Sequence, residues 1–205
     1  MKPSHRRRRT AAALGAAVVV SLSSGCFSQD KAPVAARPTP ISQLRTATMT
    51  IPRVEFCSNV PKRAVADALG TTSSRLAAYR AGDRTAVAGT TDQVAENGCA
   101  WLASNGPALA RAWVFASPAD ATMARDAIRD ARSTPGCRLV GSPPFGAPSL
   151  TQVCDSSGTL RVRHAGLFGT SWLTCELSDT GTLAVVRKRA DAWCVQVAST
   201  LNGMR

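Results

Sequence analysis

The stretch TQVCDSSGTLRVRHAGLFGTSWLTCE, residues 151–176, decides the fold. It contains three short runs rich in apolar and β-branched residues, which are separated by Ser-Ser-Gly and by Gly-Leu-Phe-Gly. Turn-forming residues between runs of this length predict strands, which we place at 151–155, 160–165 and 171–176. Because the turns are short, consecutive strands are expected to pair in an antiparallel sheet.

Two further strands are predicted upstream of this stretch. Residues 109–116 alternate between larger side chains and alanine or valine, and residues 99–103 form a shorter apolar run. The turn Ser104-Asn105-Gly106-Pro107 between these two runs favours a hairpin. The sequence therefore predicts an antiparallel sheet of about five strands.

Helix signals surround the predicted strands. One helix follows the N-cap candidate Ser58 and ends at Gly70, and a second starts at Ser117 with Pro118 in its first helical position. A third helix covers residues 183–201, where apolar side chains recur every three or four positions as Val186, Ala190, Trp193, Val197 and Leu201. This order of elements predicts an α+β fold in which helices pack on the sheet as an α/β sandwich.

The N-terminal segment is typical of a secretory signal peptide. Lys2 and Arg6–Arg9 precede a run of small and apolar residues at 11–22, and Ser-Ser-Gly then leads to Cys26. That run is too short to cross the hydrocarbon core of a bilayer. We predict that residues 1–25 are removed on export, by the general secretion route rather than by twin-arginine export.

Cys26 resembles the lipidated cysteine of a bacterial lipobox. Ser24 and Gly25 fit that motif, whereas Ser23 stands where leucine is favoured. An ordinary signal-peptidase cut that leaves Cys26 as a free thiol is the alternative. We expect lipidation, which would anchor the chain to the extracytoplasmic face of the cell membrane; without it the protein would be secreted.

A proline-containing segment and a basic charge characterise the rest of the chain. Residues 26–53 contain four prolines among Ser, Thr, Gln and Ala, which predicts a flexible tether before a single domain at 54–205. The chain has 25 basic and 13 acidic residues, a net charge of +12. Since residues 1–25 carry five of the positive charges, the mature chain has a charge of +7 (12 − 5), which favours anionic surfaces such as phospholipid headgroups.

Six cysteines lie in the predicted domain, and their number and the export signal predict three disulfides. No CxxC motif occurs, and His164 is the only histidine after the signal peptide, so we expect neither a metal site nor a cofactor. The sequence allows many pairings of six cysteines. We expect pairing in sequence order, namely Cys57–Cys99, Cys137–Cys154 and Cys175–Cys194.

Several short motifs together give the chain a resemblance to known proteins. Cys57 opens a helix that closes in Ala-Leu-Gly at Gly70, and Gly-Cys-Ala-Trp follows at residues 98–101. With Cys26 and the proline-containing segment, this pattern resembles small secreted actinobacterial lipoproteins that share a cysteine-paired domain of unknown function. In outline it is also similar to the extracellular sensor domains of mycobacterial serine/threonine kinases, which are disulfide-linked α/β sandwiches. The resemblance implies no catalytic residues.

Candidate functional residues are few. We expect His164, on a predicted strand with inward register, to be a partly buried and hydrogen-bonded histidine. Arg161 and Arg163 alternate on one strand, and Arg187 and Arg189 start the last helix; these four would form an anion-binding patch if the outward faces adjoin. Aromatic residues do not interleave with these arginines, so nucleic acid is not expected as a partner.

The sequence favours binding over catalysis. It has no GxSxG, HExxH or SxxK motif, no phosphate-binding glycine loop, and no pair of carboxylates that stands out for acid–base chemistry. We expect a ligand-binding or protein-interaction domain at the cell envelope, with an envelope protein or a small ligand as partner, and not an enzyme. A secreted envelope hydrolase with an unrecognised carboxylate or Ser/His site is the alternative.

Overall fold

The computed structural model describes residues 39–86, 92–141 and 144–204. The described residues contain three α-helices, α1 (Lys62–Leu69), α2 (Ala121–Arg132) and α3 (Leu183–Gly203). Short 3-10 helices lie at Ile41–Gln43, Thr46–Thr48 and Cys57–Asn59. The strands are β1 (Ser73–Tyr79), β2 (Glu96–Ala103), β3 (Leu109–Phe115), β4 (Cys137–Leu139), β5 (Ser149–Ser156), β6 (Thr159–Phe168) and β7 (Ser171–Asp179).

The strands form one antiparallel sheet in the order β1-β2-β3-β7-β6-β5-β4, which confirms the predicted α+β fold. The sheet has seven strands instead of about five, because β1 and β4 were not predicted. Strand β4 has only three residues, and β1, Ser-Ser-Arg-Leu-Ala-Ala-Tyr, lacks a regular alternation of apolar and polar residues. Both lie at the edges of the sheet, where a strand pairs on one side only and its apolar pattern is weak.

Helices cover the two faces of the sheet unequally. Helix α3 packs on β6 and β7 and contacts α1, so these two helices define what we call the α3 face. Helix α2 covers only the β4–β5–β6 end of the opposite face, which we call the α2 face. The predicted apolar stripe of α3 is confirmed, since it is buried along its whole length as Val186, Ala190, Trp193, Val197 and Leu201.

The helix boundaries follow the predicted caps at α1 but not at α2. Helix α1 ends at Gly70, whose φ of 71° is the left-handed conformation that favours glycine. Helix α2 begins three residues later than its prediction, because the Asp120 side chain, and not that of Ser117, accepts a hydrogen bond from Met123 N at 2.8 Å. Ala119 N donates to Thr170 O at 2.8 Å, which holds the preceding residues outside the helix.

Residues 39–53 pack on the domain, although the sequence analysis assigned them to the tether. Ile41 and Ile51 are buried in the core, and Thr50 N donates to Asn202 Oδ1 at 2.8 Å. Ser171 Oγ also donates to Ile51 O at 2.6 Å. The folded part therefore starts closer to residue 39 than to residue 54. The predicted signal peptide, Cys26 and the predicted tether as far as residue 38 lie outside the described residues.

Three disulfides join the elements, in the pairs expected from sequence order. Cys57–Cys99 links the turn before α1 to β2, Cys137–Cys154 links β4 to β5, and Cys175–Cys194 links β7 to α3. Each stabilises the fold by about 3–4 kcal/mol in the chain-entropy model. Disulfides in this number are typical of domains that fold outside the reducing cytosol, so they indicate an extracytoplasmic location. Each helix of the described ranges is too short or too polar to cross a bilayer.

Candidate functional site

An open groove lies on the α3 face between α1 and the edge strand β1. It has a volume of about 480 Å³, and its walls include Val60, Val65 and Leu76. Trp101 of β2 lies at its base and packs edge-on against Trp193 of α3, with 5.2 Å between ring centroids. Trp101 is thus held between α3 and the neighbouring strands at the base of the open groove.

Leu76 is the most exposed apolar residue of the groove wall. It lies opposite Trp101 in the β1–β2 register, and 49% of its surface is accessible to solvent. Among the described residues, β1 pairs with β2 alone, so its outer edge ends the sheet. The groove and the sheet edge together form a surface that combines apolar side chains with main-chain groups.

The α2 face carries a second feature, a buried carboxylate between two arginines. Glu176 of β7 is 1% exposed and lies directly opposite Arg111 of β3 and Arg163 of β6 in the strand registers. Arg111 Nη1 donates to Glu176 Oε1 at 3.1 Å, and Arg163 Nε donates to Oε2 at 2.9 Å. Both guanidinium groups also lie over the Trp113 ring, at 5.0 and 5.3 Å from its centroid. The carboxylate is therefore paired on both sides and shielded from water.

Burial shifts the pKa of several groups on the same face. Burial raises the pKa of the Glu96 carboxyl, and the Arg111 guanidinium partly opposes this shift. Burial also raises the pKa of Tyr79, and the nearby Arg111 guanidinium partly opposes this shift. The guanidinium of Arg161 has a lowered pKa because it is desolvated; Glu176 opposes this effect.

The structure does not bring the four arginines of the predicted anion-binding patch together. Arg161 and Arg163 share their side of the sheet with Glu176, whereas Arg187 and Arg189 belong to α3 on the other face. Arg189 Nη1 pairs with Asp179 Oδ2 at 2.6 Å, and Arg187 Nη2 donates to the carbonyl oxygen of Gly141 at 2.7 Å. The prediction of one patch was wrong because the β6 side chains that carry the arginines point away from α3.

His164 is fully buried between the sheet and α3. Its Nδ1 lies 2.8 Å from Thr151 Oγ1 of β5, and its Nε2 lies 2.8 Å from Asp191 Oδ1 of α3. The prediction of a hydrogen-bonded histidine agrees with this position, although the ring is 0% rather than partly exposed. Sequence reasoning missed Asp191, because the contact depends on how α3 packs on β6. A hydroxyl, an imidazole and a carboxylate are thus aligned at this point, with Thr151 itself only 4% exposed.

Within the described ranges, no three His, Cys, Asp or Glu side chains gather in a way that would hold a metal ion.

Comparison with known proteins finds structural neighbours of low identity and no family match. No protein-family model matches the sequence, and no curated protein does so significantly. Among solved structures, the chain is similar to the extracellular domain of PknH from Mycobacterium tuberculosis, with 14% identity and a TM-score of 0.47 over 74% of this chain and 98% of that chain. A GTP binding regulator from Thermotoga maritima is also similar, with 10% identity and a TM-score of 0.33 over 71% of this chain and 93% of that chain.

Proposed function

We propose that this chain is an exported lipoprotein, anchored through Cys26 at the extracytoplasmic face of the cell membrane, whose domain binds an extended apolar peptide segment of an envelope protein. The proposal rests chiefly on one observation, the apolar groove beside the outer edge of β1. The signal-like N-terminus and the three disulfides support the location. Its role is binding rather than catalysis.

A peptide fits this surface better than a lipid or a small ligand. A strand added beside β1 would form main-chain hydrogen bonds with the sheet edge, which an acyl chain cannot form. Alternate side chains of that strand would point into the groove, where Leu76 and Trp101 present apolar surface. A second groove of about 420 Å³ lies between α1 and α3, but its lining includes no strand residue and so offers no sheet edge.

The test compares two leucines that are similarly exposed on opposite faces. Leu76 is 49% exposed in the groove, and Leu102 is 40% exposed on the α2 face. We expect a fluorescein-labelled peptide of alternating Val and Ser, followed by fluorescence anisotropy, to bind the wild-type protein. Leu76→Glu should weaken this binding at least tenfold, because it places a charge in the apolar groove. Leu102→Glu should leave it unchanged.

Two outcomes would contradict the proposed partner. The wild-type protein could fail to bind any peptide of the alternating apolar class, or both variants could lose binding equally. Binding of a fluorescent fatty acid, lost in Leu76→Glu and not displaced by peptide, would instead assign the groove to an acyl chain.

A hydrolase is the second candidate, and the Thr151–His164–Asp191 alignment favours it. A hydroxyl whose proton can pass to an imidazole is the arrangement that nucleophilic catalysis uses. Its burial opposes this role, because a substrate carbonyl must reach Thr151 Oγ1. Hydrolysis of p-nitrophenyl acetate by the wild-type protein, abolished in a folded His164→Gln variant, would support the hydrolase.

A further inference from the structure

The disulfide Cys137–Cys154 differs from the other two in its access to solvent. Cys57, Cys99, Cys175 and Cys194 are all at most 4% exposed. Cys137, in contrast, is half-buried on the three-residue edge strand β4. Because a thiolate must reach one of the sulfur atoms to attack a disulfide, solvent access selects this bond for exchange.

Arg161 places a positive charge beside the same disulfide. Its Nη2 lies 3.1 Å from Cys154 Sγ and 3.7 Å from Cys137 Sγ. Among the described residues, Arg161 forms no ion pair with a carboxylate, and its Nε is buried without a hydrogen-bond partner. Glu176 attracts the guanidinium of Arg161, whereas the nearby Arg163 and Arg111 carry the same charge and repel it. The sulfur atoms of an intact disulfide are poor hydrogen-bond acceptors. The same guanidinium would interact more strongly with a negatively charged atom in their place.

A guanidinium in this position favours a thiolate on Cys154. Cationic side chains next to a cysteine lower the pKa of its thiol, and a thiol of lower pKa is a better leaving group in exchange. The more accessible cysteine and the one nearer the guanidinium are different residues, since Cys137 is half-buried and Cys154 is 7% exposed. The two sulfur atoms thus suit different roles in exchange. Cys137 Sγ is the atom that a thiolate attacks, and Cys154 Sγ is the leaving group.

We propose that Cys137–Cys154 is a redox-active disulfide, which external thiols reduce while the other two disulfides remain intact. A thiolate attacks Cys137 Sγ, the bond between the two sulfurs breaks, and its electron pair passes to Cys154 Sγ as a thiolate beside Arg161. A second thiol then attacks the mixed disulfide and releases Cys137. In the net reaction, two external thiols are oxidised to one disulfide. Their two electrons and two protons pass to Cys137 and Cys154, which become free thiols.

The sheet keeps the two cysteines close after reduction. Val140 N donates to Thr151 O at 2.9 Å, and Asp155 N donates to Gly136 O at 3.2 Å. These backbone hydrogen bonds lie on both sides of the disulfide and do not depend on it. The reduced pair therefore stays opposed on β4 and β5 and can close again when an oxidant is supplied.

The test measures how fast each disulfide opens in the folded protein. The full mature chain is incubated in native buffer with dithiothreitol, samples are alkylated with iodoacetamide, and the labelled cysteines are identified by mass spectrometry. We expect Cys137 and Cys154 to be labelled at least tenfold faster than the other four domain cysteines. Labelling of all six at one rate, or of another pair first, would overturn the proposal.

A matched pair of variants tests the role of Arg161. Arg161→Gln removes the charge beside the sulfurs and should slow the opening of this disulfide about threefold or more, as expected for a poorer leaving group. Arg138→Gln removes an exposed charge next to Cys137, but position 138 lies opposite Val153 and so on the other face of the sheet. Arg138→Gln should therefore not change the rate at which the Cys137–Cys154 disulfide opens.

The other two disulfides serve as internal controls for unfolding in the same samples. The Cys137–Cys154 bond could open as fast in Arg161→Gln as in the wild-type protein while the other two disulfides stay closed. That result would show that Arg161 does not activate this disulfide.

Discussion

Glu176 illustrates how a single buried charge can hold three strands together. A carboxylate that is 1% exposed is unfavourable by several kcal/mol unless ion pairs and hydrogen bonds replace its hydration. Arg111 and Arg163 supply these from the strands on either side of β7. Each arginine is itself largely buried and has Trp113 beneath it, so the three charges depend on one another.

Replacing Glu176 by glutamine should therefore destabilise the protein strongly. The variant leaves two like charges close together and mostly buried, which predicts a loss of about 3–5 kcal/mol in the free energy of unfolding. The control is Asp67→Asn, which breaks the exposed ion pair with Arg63 and should cost at most about 0.5 kcal/mol. Urea denaturation with the disulfides intact measures both values. Equal effects in the two variants would show that Glu176 contributes no more than a surface charge.

At the level of elements, Gly166 fixes how the loop after β4 crosses the sheet. A Cβ atom at position 166 would lie 1.6 Å from the carbonyl oxygen of Phe145. Phe145 is buried against Phe168 of β6, so the backbone at residue 145 cannot withdraw without removing an aromatic ring from the core. Glycine is thus required where the loop and β6 meet.

Gly166→Ala should lower the stability by about 3 kcal/mol, the upper end for overpacking, because the obstacle is backbone and not a flexible side chain. Gly181→Ala is the control, since its nearest contact would be Val186 Cγ2 at an ordinary 3.7 Å, and it should change stability by less than about 0.5 kcal/mol. Thermal unfolding monitored by circular dichroism distinguishes the two. A wild-type melting temperature for Gly166→Ala would contradict the close approach.

The elements that the sequence predicts well are those specified by nearby residues. Strands β5, β6 and β7 alternate with local turn signals, and the stripe on α3 repeats at helical spacing, so each pattern is complete within its own segment. Strands β1 and β4 depend instead on a neighbour to pair with, and their own residues carry little apolar pattern. The start of α2 was misplaced because Asp120, three residues after the predicted start at Ser117, is the residue that caps the helix.

The sites were harder to predict, because they join residues that are distant in the chain. The groove combines Val60, Leu76 and Trp101 from three separate elements. The arginine pair of Glu176 depends on β3 and β6 both flanking β7, an order that the linear sequence does not display. The cysteine pairing was easier to predict, because cysteines that are consecutive in the domain sequence are also close in space at all three disulfides.

At the scale of the whole molecule, the packing of residues 39–53 shortens the distance between the domain and a lipid anchor. If Cys26 is the anchor, twelve residues (27–38) lie between it and Thr39, where the described part begins. Such a segment spans at most about 45 Å when fully extended. A protein held this close to the bilayer would meet partners in the membrane or in its immediate surroundings, which is consistent with the proposed envelope partner.

The anchor itself is tested by Cys26→Ala expressed in the protein's native host. We expect the variant to move from the membrane fraction to the medium, because a processed chain without acyl groups lacks the hydrophobic attachment. Ser23→Leu is the matched control: it restores the favoured lipobox residue and should keep the protein on the membrane. Membranes are washed at high salt before analysis, since a mature charge of +7 (12 − 5) would otherwise hold the unanchored chain on anionic lipids. Retention of Cys26→Ala after this wash would contradict the lipid anchor, and release of the wild-type protein would favour ordinary secretion.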